Sequence, residues 1–362
     1  MRTLTVTFHH GNNYGALFQM FALHSKIKNM GHSNLVLETS PSTLKKGKKV
    51  NLNPRAILRE AYIFCFQLFR QKQMSSLARS FSEFKRRYVE FTPAYSSMAD
   101  LTTNCPEVDA LITGSDQVWN LNTVPSMIPS RFLDFGKPNA IRFSFAASIE
   151  TMDYSESQKE YVREQLKKFK GISLREQSAC DYIESFTNYH TESLLDPVFL
   201  FDKSEWLSYS TKPRIEGPYI LCYQVISNKL MQKVVDDLKK ETGYPIITIC
   251  NVPFKWIHAD YSLFDVSPEE FLGLYNNAAY VVTTSFHGTA FGILFNKRTF
   301  TITKDISSNR IYNLMRLLGL EDFVIKPNYQ LTNKEIDWDY VNGVISKERN
   351  RSTKYLQSML SK

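Results

Sequence analysis

The stretch over residues 280–294 restricts the fold more than any other part of the chain. Tyr280-Val281-Val282-Thr283 is uncharged and mostly β-branched, the signature of a short buried strand. Directly after it Ala290, Ile293 and Leu294 recur at helical spacing. The pattern therefore predicts a helix from near Phe286, with Thr284 or Ser285 as its N-cap. Between strand and helix the turn carries a hydroxyl, the imidazole of His287 and Gly288, beside backbone N–H groups that have no intrahelical partner. Such a helix start attracts anions, because its free donors and the positive end of the macrodipole point the same way. His287 stands in that first turn as a candidate general acid toward a bound phosphate ester or carboxylate, although histidines in such turns are often only structural.

The same rhythm opens the chain. Residues 4–8 read as a strand, 9–15 as a polar turn with two glycines, and 16 to about 29 as a helix that Gly31 stops; residues 35–38 are the next strand. This β-α-β unit predicts a parallel sheet. Residues 41–100 look like a helical insertion, with helices over 55–72 and 75–88. Strands follow over 108–113 and 141–146, a helix over 158–170 and a strand over 171–174. Residues 211–218, with two prolines and a glycine, read as a linker to a second β/α series. The expected domains are an N-terminal Rossmann-like half over 1–210, a C-terminal one over 211–330, and a helical segment over 331–362 that packs back on the first half. The length of 362 residues suits roughly two domains. Doubly wound halves of this kind bind ligands at the carboxyl ends of their strands, in the cleft they share. His287 is expected to face that cleft from the second half, with Asn13, Asp116 and Arg175 facing it from the first.

Two of these residues have alternative local explanations. Asp116 follows the strand over 108–113, where ligands collect, but aspartate is also an ordinary turn residue. Arg175 precedes a helix start that is already positive, which suggests an anion between the two; an ion pair with Glu176 or Glu164 would serve equally.

Composition excludes several classes. The five cysteines are scattered without a C-x-x-C pair, which fits reduced thiols in a cytoplasm and gives no zinc site. The first residues show no signal-peptide pattern, and the longest apolar run, over 61–66, is far shorter than a spanning helix. A soluble or peripheral cytoplasmic protein is expected. The formal charge of +8 gathers partly in Lys45, Lys46, Lys48 and Lys49 and in Lys85, Arg86 and Arg87. No nucleic-acid motif accompanies these clusters. They suit contact with the anionic inner face of a membrane, or a solvated face over an ordinary core helix.

Six stretches in order give the chain a resemblance. They are His10-Gly11-Asn12-Asn13-Tyr14-Gly15-Ala16, Leu111 to Asn120 with Gly114-Ser115-Asp116-Gln117-Val118-Trp119 at its heart, Ala146-Ala147-Ser148, Ile172-Ser173-Leu174-Arg175-Glu176, Leu195-Asp196-Pro197-Val198 and Ser285-Phe286-His287-Gly288. Together they resemble the polysaccharide pyruvyl transferase family from residue 8 to about 320. The resemblance implies an α/β, GT-B-like fold of two doubly wound Rossmann-type domains facing a central cleft. It also implies transfer of the enolpyruvyl carbons of phosphoenolpyruvate onto two hydroxyls of a sugar, giving a cyclic ketal and phosphate. His287 becomes the expected acid or phosphate partner, Arg175 a ligand of the donor anion, and Asp116 the expected base. Asn13, Tyr14, Gly15, Ser115, Gln117, Trp119, Ser148, Ser285 and Gly288 are expected to bind substrate.

One departure matters. Many relatives carry arginine and leucine directly before this histidine, where Ser285 and Phe286 stand here. Arg310, or Arg175 alone, is expected to supply the missing cation. The expected chemistry requires one acid and one base, with no metal or redox cofactor. The acceptor is a sugar or a lipid-linked oligosaccharide of a surface polysaccharide or exopolysaccharide precursor. Two other functions share the architecture: sugar transfer from a nucleotide sugar, and non-catalytic carbohydrate binding. Glycosyltransferases of this kind commonly place a glutamate on the helix after the equivalent turn, and no acidic residue lies between Tyr280 and Asp305.

Overall fold

Short β-branched and aliphatic segments at regular intervals give two parallel sheets with helical crossovers. The computed structural model describes residues 1–40, 53, 63, 68–122, 125–149, 151–226, 228–250, 257–303 and 310–361. The lysines at 45, 46, 48 and 49, and most of the helix expected over 55–72, lie outside them. The chain divides into two units. One comprises Met1–Lys48, Lys85–Leu200 and Ser346–Lys362; the other comprises Lys49–Phe84 and Phe201–Ile345. The part of the insertion over Lys49–Phe84 therefore groups with the second unit, and the C-terminal helix Trp338–Leu360 begins in the second unit and ends in the first.

In the first unit β1 (Arg2–Val6), β2 (Ser33–Val36), β3 (Ala110–Thr113) and β4 (Ile141–Ser144) form a sheet of order β2-β1-β3-β4, parallel throughout. The short pair β5 (Ser173–Leu174) and β6 (Glu192–Ser193) adjoins it through single bridges from Phe143 to Gly171 and from Ala147 to Leu174. The sheet reverses its winding between β1 and β3. The second unit carries β7 (Ile220–Tyr223), β8 (Ile246–Ile249), β9 (Tyr261–Leu263), β10 (Tyr280–Thr283), β11 (Arg298–Ile302) and β12 (Val324–Ile325). Their order is β12-β11-β10-β7-β8-β9, again parallel, and the winding reverses between β7 and β10. Strands β3, β7 and β8 are buried at every residue, as expected where helices cover both faces of a sheet. The reversal points matter because α/β sheets open a crevice there, at the carboxyl ends of the strands. His9 to Asn13 and Ser115 to Gln117 follow one such pair of strands. Gln224 and Thr284 to Gly288 follow the other.

The first helix, Tyr14–Asn29, is held against its strands by a buried polar knot. Asn34 donates from Nδ2 to His24 Nδ1 at 3.0 Å, and its Oδ1 accepts from the hydroxyls of Thr3 and Thr5 at 2.6 and 3.0 Å. Burial, aided by Lys28, lowers the His24 pKa to about 4, against a weaker opposing pull from Glu90. An unfolded chain takes up this proton near pH 6.5 and the folded one near pH 4. Stability is therefore fully present above pH 6.5 and is lost as the pH falls toward 4, by at most about 3 kcal/mol for this group. Urea unfolding between pH 7.5 and 4.5 is expected to show that slope, reduced in His24→Gln.

Among the described residues no helix is long and apolar enough to cross a membrane, and Cys105, Cys180 and Cys222 are free thiols.

Candidate functional site

The turn after β10 is fixed by hydroxyls. Ser285 is extended and caps the helix Phe286–Leu294, its Oγ accepting from Gly288 N at 3.2 Å. Thr283 Oγ1 donates to Tyr223 O at 2.6 Å and accepts from Ser285 N at 3.0 Å. Thr284 Oγ1 accepts from Val225 N and Ile226 N at 3.1 and 3.2 Å, tying the end of β7 to the turn. On the far side Thr289 Oγ1 donates to Ser285 O at 3.0 Å and meets Thr301 Oγ1 at 2.9 Å. The turn is thus tied by side chains to β7 and β11, which flank β10 on either side.

His287 is half-buried within this frame, its ring edge-on to Phe286 with centroids 5.2 Å apart. The Arg310 guanidinium stands over the same Phe286 ring, 5.9 Å from its centroid, within cation–π range. Phe286 therefore carries an imidazole at its edge and a permanent cation on its face. Arg310 opens the helix Arg310–Leu317, so this positive charge reaches the turn from a separate element. An anion at the start of the helix Phe286–Leu294 would meet the imidazole, the guanidinium and the helix dipole together.

Gly288 is required by close packing. A Cβ there would collide with Thr283 Oγ1 and press on the Tyr223 ring and the Tyr275 hydroxyl. Thr283 cannot yield, because its hydroxyl serves both Tyr223 and Ser285. Gly288→Ala is expected to push the helix start off the strand and to cost about 1–3 kcal/mol, as other overpacked cores do. Circular dichroism melts will read the loss of stability.

In the first unit most of the expected substrate-binding residues have internal partners. Arg175 has a side chain only 2% exposed; its Nε donates to Glu176 Oε1 at 3.0 Å and its Nη1 to Asp196 Oδ2 at 2.8 Å. Ser115 Oγ donates to the same Asp196 oxygen at 2.9 Å, and Ser148 Oγ to the same Glu176 oxygen at 3.0 Å. Burial opposes the arginine's charge, yet Glu176, Asp196 and Asp116 outweigh it and push its pKa upward. Arg175, Ser115 and Ser148 thus form one internal ionic network. The arginine holds two carboxylates of its own unit, because burial without them would be prohibitive.

Trp119 is fully buried, stacks on Phe132 at 5.5 Å and donates from Nε1 to Arg131 O at 3.1 Å. A large ring at a strand end is worth more filling the core than lying open to a ligand. Asn13 caps its helix, with Oδ1 accepting from Gly15 N and Ala16 N at 3.0 and 3.3 Å, while Tyr14 and Gly15 are buried in the first turn.

Asp116 and Gln117 remain partly exposed at the end of β3. Asp116 has φ +69°, a left-handed conformation that costs a non-glycine residue energy. It is held there by Ser148 N and Val118 N, which donate to its carbonyl at 3.0 and 2.7 Å. Such strain persists only where surrounding structure enforces it, and it often marks a working position.

A further group escaped the sequence reading. His9 and His10 follow β1, Glu38 follows β2, and Lys85 Nζ donates to His9 O at 2.5 Å. The paired histidines were visible as a doublet; their carboxylate partner appears only once β1 and β2 are aligned.

Residues 13–305 match the model of a family described as polysaccharide pyruvyl transferase. None of the curated proteins matches the chain. Among solved structures, the N-terminal domain of Candida albicans trehalose-6-phosphate phosphatase is similar with TM-score 0.52 and 10% identity, over 99% of this chain and 96% of that one. The UDP-GlcNAc 2-epimerase of Methanocaldococcus jannaschii in complex with UDP-GlcNAc and UDP gives TM-score 0.51 and 10% identity, over 99% and 98%. That of Neisseria meningitidis bound to UDP-GlcNAc gives 0.50 and 12%, over 99% and 99%. At such identities the likeness concerns the fold alone, which is α/β and GT-B-like.

Proposed function

The chain belongs to the polysaccharide pyruvyl transferase family, and from that premise we propose that it transfers pyruvate from phosphoenolpyruvate to a sugar as a cyclic ketal. The observation that carries this reading is the turn after β10, where His287 and Arg310 flank one Phe286 ring at a helix start. Phosphoenolpyruvate bears a phosphate and a carboxylate, and a guanidinium beside a helix N-terminus suits both. In this reading Arg310 provides the cation that Ser285 and Phe286 do not.

His287 protonates the methylene carbon, which leaves a cation at the neighbouring carbon. One sugar hydroxyl adds there as Asp116 takes its proton. The second hydroxyl closes the ring as phosphate leaves, and its proton departs with the phosphate. The acceptor is a bacterial-type surface or exopolysaccharide precursor, lipid-linked or free. For a lipid-linked acceptor, peripheral contact with an anionic membrane is supported by Phe69, 86% exposed and three residues before Lys72 in the chain.

The test is incubation with phosphoenolpyruvate or a nucleotide sugar, each with lipid-linked oligosaccharide, followed by assay of phosphate and nucleotide. Phosphate release that depends on both donor and acceptor is expected. Nucleotide release without phosphate would identify a glycosyltransferase and overturn the proposal, and binding of glycan with neither product would identify a carbohydrate-binding protein.

A further inference from the structure

Parallel pairing of β1 with β2 brings two imidazoles and a carboxylate to one end of the first sheet. One nitrogen from each of His9 and His10 and one oxygen of Glu38 lie within 4.8 Å of one another. Glu38 Oε1 is 3.6 Å from His10 Nδ1 and 4.0 Å from His9 Nε2. These groups are already oriented. Nε2 of His10 meets Thr39 Oγ1 at 2.8 Å, and Glu38 Oε1 accepts from Thr39 N at 3.0 Å. His9 is 1% exposed; its Nε2 lies 3.0 Å from Leu37 O, and its Nδ1 is buried without a hydrogen-bond partner. Because Nε2–H donates to Leu37 O, the unpartnered Nδ1 is the His9 nitrogen with a lone pair free for a ligand. Ligating histidines are commonly oriented by such outer hydrogen bonds.

We propose that His9, His10 and Glu38 form a binding site for one divalent transition-metal ion. Two imidazoles and a carboxylate are the donor set of catalytic-type zinc sites, and they select zinc or cobalt over magnesium or calcium. Lying within 4.8 Å of one another, the ligand atoms must close by up to about 1.5 Å to share an ion. A cavity of about 30 Å³, lined by Thr7, Phe8, His10, Leu37, Thr39 and Arg131 among others, adjoins the site and has room for one water as a further ligand. Two cations stand against the ion: Lys85, whose Nζ is fixed on His9 O, and Arg131, stacked 4.6 Å over Phe8. Their repulsion weakens the site without removing it, and it makes a sharp test available. The site involves none of the residues given a step in the pyruvyl-transfer proposal and does not depend on that proposal.

Untagged full-length protein, freed of metal with chelator, is titrated with Co²⁺ while its visible d–d absorption is followed, with no substrate present. One equivalent is expected to bind and to be displaced by Zn²⁺. His10→Ala and Glu38→Gln, both at partly exposed positions, should each weaken binding at least 10-fold while the circular dichroism spectrum is kept. Lys85→Met should tighten it several-fold by removing the opposing charge. Absence of d–d bands up to millimolar Co²⁺, or equal binding by a folded His10→Ala, would overturn the proposal. So would binding that Lys85→Met leaves unchanged, since the ion would then lie elsewhere. Because no donor or acceptor is present, a negative result here leaves the pyruvyl-transfer assay untouched.

Discussion

Asp196→Ala is expected to lose about 3–5 kcal/mol of stability, the usual consequence of removing one partner of a buried ion pair. Asp196 is 1% exposed and accepts from Arg175 Nη1, Ser115 Oγ and Val198 N. Its loss leaves a charged guanidinium in the interior with only part of its compensation, at the junction of stretches near residues 115, 148, 175 and 196. Urea unfolding followed by circular dichroism measures the effect; a loss under about 1 kcal/mol would mean that water already screens the network. A second variant separates the charge from the packing. Arg175→Met combined with Glu176→Leu and Asp196→Leu replaces all three charges with apolar groups, and it should recover much of the stability, because well-packed apolar substitutes often equal a buried ionic cluster. Recovery would show that the arginine serves the fold of the first unit.

His287→Ala is expected to reduce phosphate release from phosphoenolpyruvate by about 10²–10⁴-fold, the range in which a positioned general acid contributes. Stability should change little, because the ring is half-buried and the turn is held by Ser285, Thr283 and Thr284. The kinetic split is informative. Loss in kcat with KM for phosphoenolpyruvate nearly unchanged identifies an acid that acts in the transition state, whereas loss confined to KM identifies an anion ligand. Arg310→Ala should show the second pattern, because its guanidinium reaches the turn over the Phe286 face without being part of the helix. Undiminished phosphate release by His287→Ala would falsify the assignment of the acid.

The local elements around the site were largely legible in the sequence. The strand Tyr280–Thr283 and the helix from Phe286 were readable from composition and period, and Ser285 is the cap. Strand ends were less so: the strand expected over 4–8 occupies Arg2–Val6, and that expected over 35–38 occupies Ser33–Val36. Both are shifted because a strand's limits follow its partners' register as well as its own residues.

Arg175 shows where sequence reasoning stops. A cation before a helix start implies a counter-charge, but the local sequence looks the same whether that charge is a ligand or a carboxylate 21 residues away. Trp119 poses the same problem, since a tryptophan in a polar turn has one sequence signature for a core residue and for a ligand platform.

The sequence by itself determined what depends on neighbours along the chain: the strand and helix alternation, a hydroxyl cap at Thr284 or Ser285 and the motif order that marks the family. Tertiary structure alone decided what depends on distance across it. It set Asp196 and Glu176 against Arg175, brought Arg310 to the face of Phe286, and placed Glu38 beside His9 and His10. The physical reason is that backbone preference is local, whereas compensation of a buried charge is a through-space requirement that any suitable carboxylate, however distant in sequence, can meet.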